Sequence, residues 1–424
     1  MPSTAGARSA LLRGITRNVV VLGVVSLLTD ISSELLIMVI PLFLANVLAA
    51  TPVVIGLVEG IAESAAAVLK LGSGALSDRL ARRRVLVGTG YGTSVLAKAL
   101  YLVAATWPVV LVARVGDRLG KGIRTAPRDA LIADSTPPEA RGRAFGLHRA
   151  MDTTGAVIGV ALAALVIDHV QGGAVLLELE TFRILALVAL VPGVLAVLVV
   201  AIGVRDVRRS PRSVASSAPG TVPAPRDAPP AVTGAGLRDL PAAFWLFTLA
   251  TGLFTLGNSS DAFLALRSQD LGVGVRDLLL IAVAFNVVDA LVAWPMGALS
   301  DRLGRRRLLA AAWSLYAIVY AGFAVAGGSG VVLPLWLLYG AYYGVNEAVG
   351  RALVADLATP ERRATAYGIV NAVVGLAILP ASVVAGLLWD GVGPAAPFWF
   401  GAGCAAAGIL VLGFVRPART AARG

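Results

Sequence analysis

The sequence predicts an all-α membrane protein of twelve transmembrane helices in two pseudo-symmetric six-helix bundles. Three features predict it: an apolar composition, twelve apolar runs of bilayer length, and an internal repeat that divides the chain in two. Of 424 residues 57 % are hydrophobic and 14 % charged, against about 25 % charged in ordinary soluble domains. With a mean hydropathy of +0.82, water is not the main solvent of this chain.

A bilayer core about 30 Å thick takes about 20 apolar residues per helical crossing. Runs of that kind fall at 18–45, 53–77, 85–105, 108–133, 145–168 and 182–204, then at 242–267, 276–299, 308–328, 331–357, 365–389 and 394–415. The first run exceeds a signal-peptide core and carries Asp30 and Glu34 without a small-residue cleavage site, so it reads as a retained helix. The single cysteine, Cys404, falls in the twelfth run and excludes an intramolecular disulfide.

A net charge of +11 would suit a nucleic-acid binder, but the placement of the arginines points to membrane topology instead. With a cytoplasmic N-terminus, the inside loops and termini hold 24 of the 36 Lys and Arg, whereas the outer segments hold Arg183, Arg267 and Arg276. The expectation is a multi-pass protein of the cell inner membrane with both termini cytoplasmic, partnered by the lipid bilayer and not by nucleic acid. The stretch 205–240 is rich in Pro, Ser, Ala and Arg and cannot bury enough apolar surface to fold alone. It reads as a flexible cytoplasmic linker between an N-terminal bundle at 1–204 and a C-terminal bundle at 241–424.

The repeat supports that division. GALSDRLARRR, from Gly74 to Arg84, recurs as GALSDRLGRRR from Gly297 to Arg307 at an offset of 223 residues. ALIADSTPPEARGRAFG, from Ala130 to Gly146, returns as ALVADLATPERRATAYG from Ala352 to Gly368 at an offset of 222. A weaker echo pairs Ser32, Ser33 and Glu34 with Ser259, Ser260 and Asp261.

These loops resemble the signature of the major facilitator superfamily, G-x-L-x-D-R-x-G-R-R/K. Gly74, Leu76, Asp78, Arg79, Arg82 and Arg83 match it, with Ala81 in place of the second glycine, and the stretch from Gly297 to Arg306 matches it fully. TDISSE near Asp30, GKGIRTAPRDALIAD from Gly120 and FGLHRAMDTTGAVIG from Phe145 resemble a prokaryotic subgroup of that superfamily. The resemblance implies a gating role for Asp78 and Asp301, together with Gly74, Arg79, Arg82, Gly297, Arg302 and Arg305. A carboxylate flanked by arginines at a helix end can latch one of two conformations by pairing across the bundle or capping a neighbouring helix. The arginine runs are equally accounted for as topology determinants.

Ionisable groups within the membrane mark where function lies, because each carries about 2.5–3.5 kcal/mol of insertion penalty at the helix centre. Asp30 and Glu34 stand one turn apart on the first helix, and Glu59 and Glu63 on the second, with Lys70 further along the same face. Counted from the cytoplasmic helix ends, Asp30, Glu63, Lys98 and Asp117 reach about the same midplane depth and could form one network. Asp30, Glu34, Glu63, Lys98 and Asp117 are therefore candidates for proton coupling; a static ion-pair lattice that fixes helix packing is the alternative.

On the fourth helix Arg114, Arg118 and Lys121 recur at helical spacing, followed by Arg124 and Arg128. This ladder could bind an anionic group, pair with the carboxylates of the first two helices, or join the latch. By resemblance, an arginine here is tied to proton coupling, which points to Arg114 or Arg118. The chain's only lysines, Lys70, Lys98 and Lys121, all fall within predicted helices. Gly155 and Gly159 on the fifth helix have a small-xxx-small spacing that permits close helix approach. They also resemble the family's G-x-x-x-G-P antiporter motif, with Val160 where that motif has proline.

The second half offers Asn258, Asp261, Asn286, Asp289, Asn346 and Glu347 as substrate-binding candidates alongside Arg114, Arg118 and Lys121. Trp294, Tyr339, Tyr342 and Tyr343 accompany them as substrate-facing or packing aromatics. The sequence shows no phosphate-binding loop, no metal-spaced cluster and no catalytic constellation, so neither an ATP-driven pump nor an enzyme is expected, and no cofactor. The expectation is a monomeric secondary transporter exporting a small organic molecule in exchange for protons. Proton-coupled uptake of a small, anionic solute and a non-transporting receptor on the same fold are the alternatives.

Overall fold

A computed structural model describes residues 14–80, 83–137, 140–206, 240–359 and 362–415, with side chains throughout except at 70–80, 294, 298, 301 and 364. Every regular element among them is helical, as a bilayer demands of a chain that must satisfy its own backbone hydrogen bonds. The elements form twelve passes. The first half comprises α1 (Arg17–Ile37, continued as Val39–Asn46), α2 (Pro52–Leu80), α3 (Arg83–Ala99, with a 3-10 turn at Leu100–Val103), α4 (Trp107–Asp134), α5 (Arg141–Gln171) and α6 (Leu179–Gly203). The second comprises α7 (Ala242–Gly257, continued as Ala262–Asp270), α8 (Val275–Leu303), α9 (Arg305–Val325), α10 (Val332–Leu357), α11 (Arg363–Gly391) and α12 (Ala396–Phe414).

Eight passes, α1, α2, α5, α6, α8, α9, α11 and α12, are long and apolar enough to cross a bilayer on composition alone. The other four carry the irregular or charged stretches. α4 holds the basic ladder, α10 holds Asn346, Glu347 and Arg351, α3 ends in a tighter turn, and α7 breaks at residues 258–261. Non-helical backbone at membrane depth is tolerated where it is buried in protein or lines a cavity, and the break in α7 does both.

Packing repeats with a period of six helices. α1 packs on α5 and α6, α2 on α4, and α3 on α4 and α6; in the second half α7 packs on α11 and α12, α8 on α10, and α9 on α10 and α12. Side-chain contacts repeat too. Arg83 pairs with Asp134, and Arg305 Nη1 pairs with Asp356 Oδ1 at 2.7 Å while also donating to the Ala352 carbonyl at 2.7 Å. Arg84 donates to the Ala201 carbonyl near the end of α6, and Arg306 donates to Gly413 and Val415 at 3.1 and 2.7 Å at the end of α12, satisfying carbonyls that a helix terminus leaves open.

These equivalences run at an offset of 222, although the motif ahead of them runs at 223. A single residue, Gly304, joins α8 to α9, whereas two residues, 81–82, separate α2 from α3. Gly304 has φ +89°, a left-handed conformation that glycine adopts without strain. Of the gating candidates, Arg305 is held within its own half, Arg302 is exposed, and Gly297 is helical. Gly74, Asp78, Arg79 and Asp301 have described helical backbone but side chains outside the described set, as does Lys70; Arg82 lies outside the described residues, as do residues 207–239 of the stretch 205–240 expected to be a linker, and both termini.

Glycine seams set the closest approaches. A Cβ at Gly155 would lie 2.4 Å from the Leu27 carbonyl oxygen, and one at Gly159 would lie 2.7 Å from that of Ile31 and 3.0 Å from Glu34 Cβ, so α5 presses on α1 where Glu34 projects. Between the halves, Gly56 and Gly60 of α2 meet Ser382 and Leu379 of α11, Gly375 meets Ala67, and Gly386 meets Val53. Ser64 donates to the Gly375 carbonyl at 2.7 Å in the same seam. At that end α5 and α8 are bridged by Arg276 and Asp168 at 3.2 Å, and Gln269 donates to the Val175 carbonyl at 2.9 Å. The halves thus meet at the end opposite the arginine-rich loops.

Gly155→Leu is expected to destabilise the protein by about 1–3 kcal/mol, because neither backbone can move independently. Gly146→Ala, on the same helix with open space around it, is the control. Fluorescence-monitored thermal unfolding in detergent checks both; equal midpoints would show that the α1 and α5 seam yields freely.

Candidate functional site

Below the closed end, the halves enclose a cavity of about 730 Å³. Its wall runs from Pro41 and Ile378 to Arg149, Arg351 and Tyr367 at the arginine-rich end. There the side chains of Arg149 and Arg351 are 65 % and 72 % exposed, so the cavity opens toward that end.

Helices α2 and α4 supply its most rigid part. Arg114 grips Glu59 with both prongs, Nε to Oε1 at 3.0 Å and Nη2 to Oε2 at 2.7 Å, and both side chains are almost fully buried. One turn along, Arg118 Nε lies 2.8 Å from Glu63 Oε1. The shared period of the two helices sets the carboxylates and guanidinium groups in register, and bidentate pairing fixes their orientation. Glu59 is therefore a central member of this lattice, although depth and spacing alone gave it no separate role.

All nine substrate-binding candidates line the cavity: Arg114, Arg118, Lys121, Asn258, Asp261, Asn286, Asp289, Asn346 and Glu347. So do Asp30, Glu34 and Glu63. Lys98 and Asp117 do not line it. Lys98 Nζ lies buried behind the wall, donates to Ser32 and Ser33 hydroxyls at 2.9 Å each, and stands 3.8 Å from Asp117 Oδ1. The single midplane network inferred from depth is thus divided by α4, which shows one face to the cavity and the other to α3. Arg124 leaves the ladder for that second face, donating to Ser94 Oγ at 2.6 Å and lying 4.6 Å over the Tyr91 ring.

Asp30 meets a partner that spacing did not reveal. Its carboxyl group is set near that of Asp152 on α5, whose Oδ1 accepts from Ser26 at 2.6 Å and whose Oδ2 lies 3.5 Å from Arg149 Nη1. Two neighbouring carboxyl groups repel when both are ionised, and a proton bound between them removes that repulsion. Counting depth along α5 from Arg141, as along α1 from Arg17, would have placed Asp152 level with Asp30.

The second half contributes a mainly aromatic wall. Phe254 stacks on Trp313 at 4.6 Å between centroids and Phe285 on Tyr339 at 5.6 Å, with Trp336 and Tyr343 beside them. Tyr339 donates to Asp261 Oδ1 at 2.6 Å, and Trp313 Nε1 donates to Asn346 Oδ1 at 2.9 Å. Glu347 takes Arg351 at 2.6 Å and, across the cavity, Arg149 at 3.8 Å. Tyr342 is buried behind the wall, and the Trp294 side chain lies outside the described set.

The family model described as Major Facilitator Superfamily matches residues 22–266 and again 246–424, one match per half and together almost the whole chain. The chain belongs to the Major Facilitator Superfamily. An uncharacterized MFS-type transporter of Methanocaldococcus jannaschii is 34 % identical over 409 residues, covering 95 % of this chain and 96 % of the relative. A shorter match, 34 % identical over 109 residues, covers 24 % of the chain and 26 % of the class C tetracycline resistance protein of Escherichia coli. In fold, this facilitator is similar to a bacterial homolog of the human lysosomal transporter Spinster, solved in an inward-facing, unoccupied conformation. The TM-score is 0.71 with 16 % identity over 94 % of each chain. As a member of a transporter family, this facilitator is not an enzyme.

Removing one partner of the Arg114 and Glu59 pair strands a buried charge, so Glu59→Gln is expected to destabilise the facilitator by about 3–5 kcal/mol. Replacing both, as Glu59→Gln with Arg114→Gln, is expected to recover much of that loss. A double-mutant cycle by thermal unfolding checks this, and strict additivity would mean that the two side chains do not couple.

Proposed function

We propose that this facilitator exports a small organic molecule in exchange for protons, by alternating access of the central cavity. The carrying observation is that two acidic side chains, Asp30 and Asp152, line the cavity together where α1 and α5 meet, an arrangement that favours the binding of one proton between them. A proton carrier must bind its proton within reach of the cavity and release it when the surroundings change. Lys121, which also lines the cavity, is the cation acting on Asp30, and rearrangement of α4 against α1 changes that balance. The short match to a tetracycline resistance protein supports the outward direction.

In this reading the arginine-rich face is cytoplasmic, as the loop charges favour. The protein then works as a monomer in the inner membrane with both termini inside and 205–240 as the linker, and the described conformation is open to the cytoplasm. The halves rock about the midplane, separating the α2 and α11 seam and bringing the loops of Asp78 and Asp301 together. Uptake of an anion is disfavoured because the upper ladder is already neutralised, Arg114 by Glu59 and Arg118 by Glu63.

In proteoliposomes, Asp30→Asn and Glu34→Gln are each expected to abolish flux driven by an imposed pH gradient, while leaving substrate exchange at equal pH partly intact. Substrate-linked acidification that persists unchanged in both variants would sink the assignment. A ligand that binds but never moves under a pH gradient would instead identify a receptor.

A further inference from the structure

We propose that the cargo of this facilitator is an organic cation, an ammonium- or guanidinium-bearing molecule with aromatic or bulky apolar substituents, and that Asp289 on α8 is the residue that recognises its charge. This deepens the reading above and rests on it.

The argument begins with the balance of charge on the cavity wall. Eight carboxylates line the cavity against five cationic side chains, an excess of three negative charges before any proton is bound. A proton bound between Asp30 and Asp152 would remove one of them. The remainder is unevenly placed. The second half lines the cavity with Asp261, Asp289 and Glu347 but only one cation, Arg351.

Each of those three carboxylates has a different standing. Glu347 is engaged by Arg351 at 2.6 Å and approached by Arg149 at 3.8 Å. Asp261 accepts the Tyr339 hydroxyl at 2.6 Å. Asp289 lines the cavity without an ion pair or hydrogen bond among the described residues, half-buried and one helical turn beyond Phe285. A half-buried carboxylate on a water-accessible cavity wall, with no protein partner among the described residues, is free to take a charged ligand. The ligand group that complements it is a cation.

The surroundings suit a particular kind of cation. Phe285 lies beside the charge, stacked on Tyr339 and meeting Tyr343 edge-on at 5.7 Å between centroids. Such faces attract cations through their ring quadrupoles and hold flat apolar substituents by contact. Asp289 is also held in place. A Cβ at Gly344 of α10 would sit 2.7 Å from the Asp289 carbonyl oxygen and 3.1 Å from Oδ1, so the two helices clamp this residue from behind. An anion would face the opposite arrangement, with the paired arginines across the cavity and the unpaired Asp289 beside it.

The test compares two aromatic dyes of similar shape and opposite charge, rhodamine 6G as cation and fluorescein as anion. Binding to the full-length protein in lipid nanodiscs is followed by fluorescence anisotropy. Wild type is expected to bind rhodamine 6G saturably and fluorescein not at all. Asp289→Asn is expected to weaken rhodamine 6G binding by about tenfold, as loss of a charge-assisted contact implies, and Asp289→Glu to retain it. Absence of saturable rhodamine 6G binding in wild type, competition by fluorescein, or an Asp289→Asn affinity equal to wild type would each overturn the inference. The wild-type comparison of the two dyes holds whether or not the variants fold. Flux in proteoliposomes separates the two levels of the argument. Rhodamine 6G that binds through Asp289 but does not move under a pH gradient removes the transporter reading and leaves the cation site, whereas fluorescein that moves while rhodamine 6G does not keeps the transporter and removes the cation.

Discussion

A charge carried into a bilayer must find a partner or face water, and this constraint organises the first half of the protein. Glu59 with Arg114 and Glu63 with Arg118 bind α2 to α4 along two successive turns, and Lys98 ties α3 to α1 through Ser32 and Ser33. Each link satisfies a group that would otherwise be stranded, and each also fixes the rotation of a helix about its axis. Once α2 and α4 are set in this way, the faces that carry Asp30, Glu34 and Lys121 turn toward the centre. The cavity is the space where the remaining charges meet water.

The duplicated plan is carried by the packing and by the loop arginines, not by the buried charges. Helix neighbours recur six helices later, and Arg83 and Arg84 have the contacts of Arg305 and Arg306. Those contacts lie at helix ends, where guanidinium groups hold the terminal carbonyls and carboxylates of the same half. Inside the membrane the halves diverge. The first has ion pairs joining α2 to α4, while the second has an aromatic box beside a broken α7, where Asn258 and Asp261 reach the cavity from the break.

Small residues decide where the halves can touch. Gly56, Gly60, Gly375 and Gly386 let α2 and α11 approach until side chain meets backbone, so the closed end is a shape-matched seam with few charges. Among the described residues the seam is held by glycine contacts and the Ser64 hydrogen bond and has no ion pair between α2 and α11. The glycines of α5 act differently, pressing α1 and α5 together inside one half and so holding Glu34 and the Asp30 and Asp152 pair in position.

The sequence by itself determined the fold class, the helices, the duplication and many of the polar residues on the cavity wall, because hydropathy, repeat and depth are properties read along the chain. All nine substrate-binding candidates and three of the five coupling candidates line the cavity for this reason. What depth cannot state is azimuth, the direction in which a side chain leaves its helix relative to its neighbours. Only the tertiary structure turned Lys98 and Asp117 behind α4, paired Glu59 with Arg114 and set Asp30 near Asp152. Only the tertiary structure left Asp289 facing the cavity without a partner among the described residues. These outcomes depend on helix rotation, which is set by contacts between segments far apart in the chain: Gly155 against Leu27, Gly90 against Arg124, and Gly344 against Asp289.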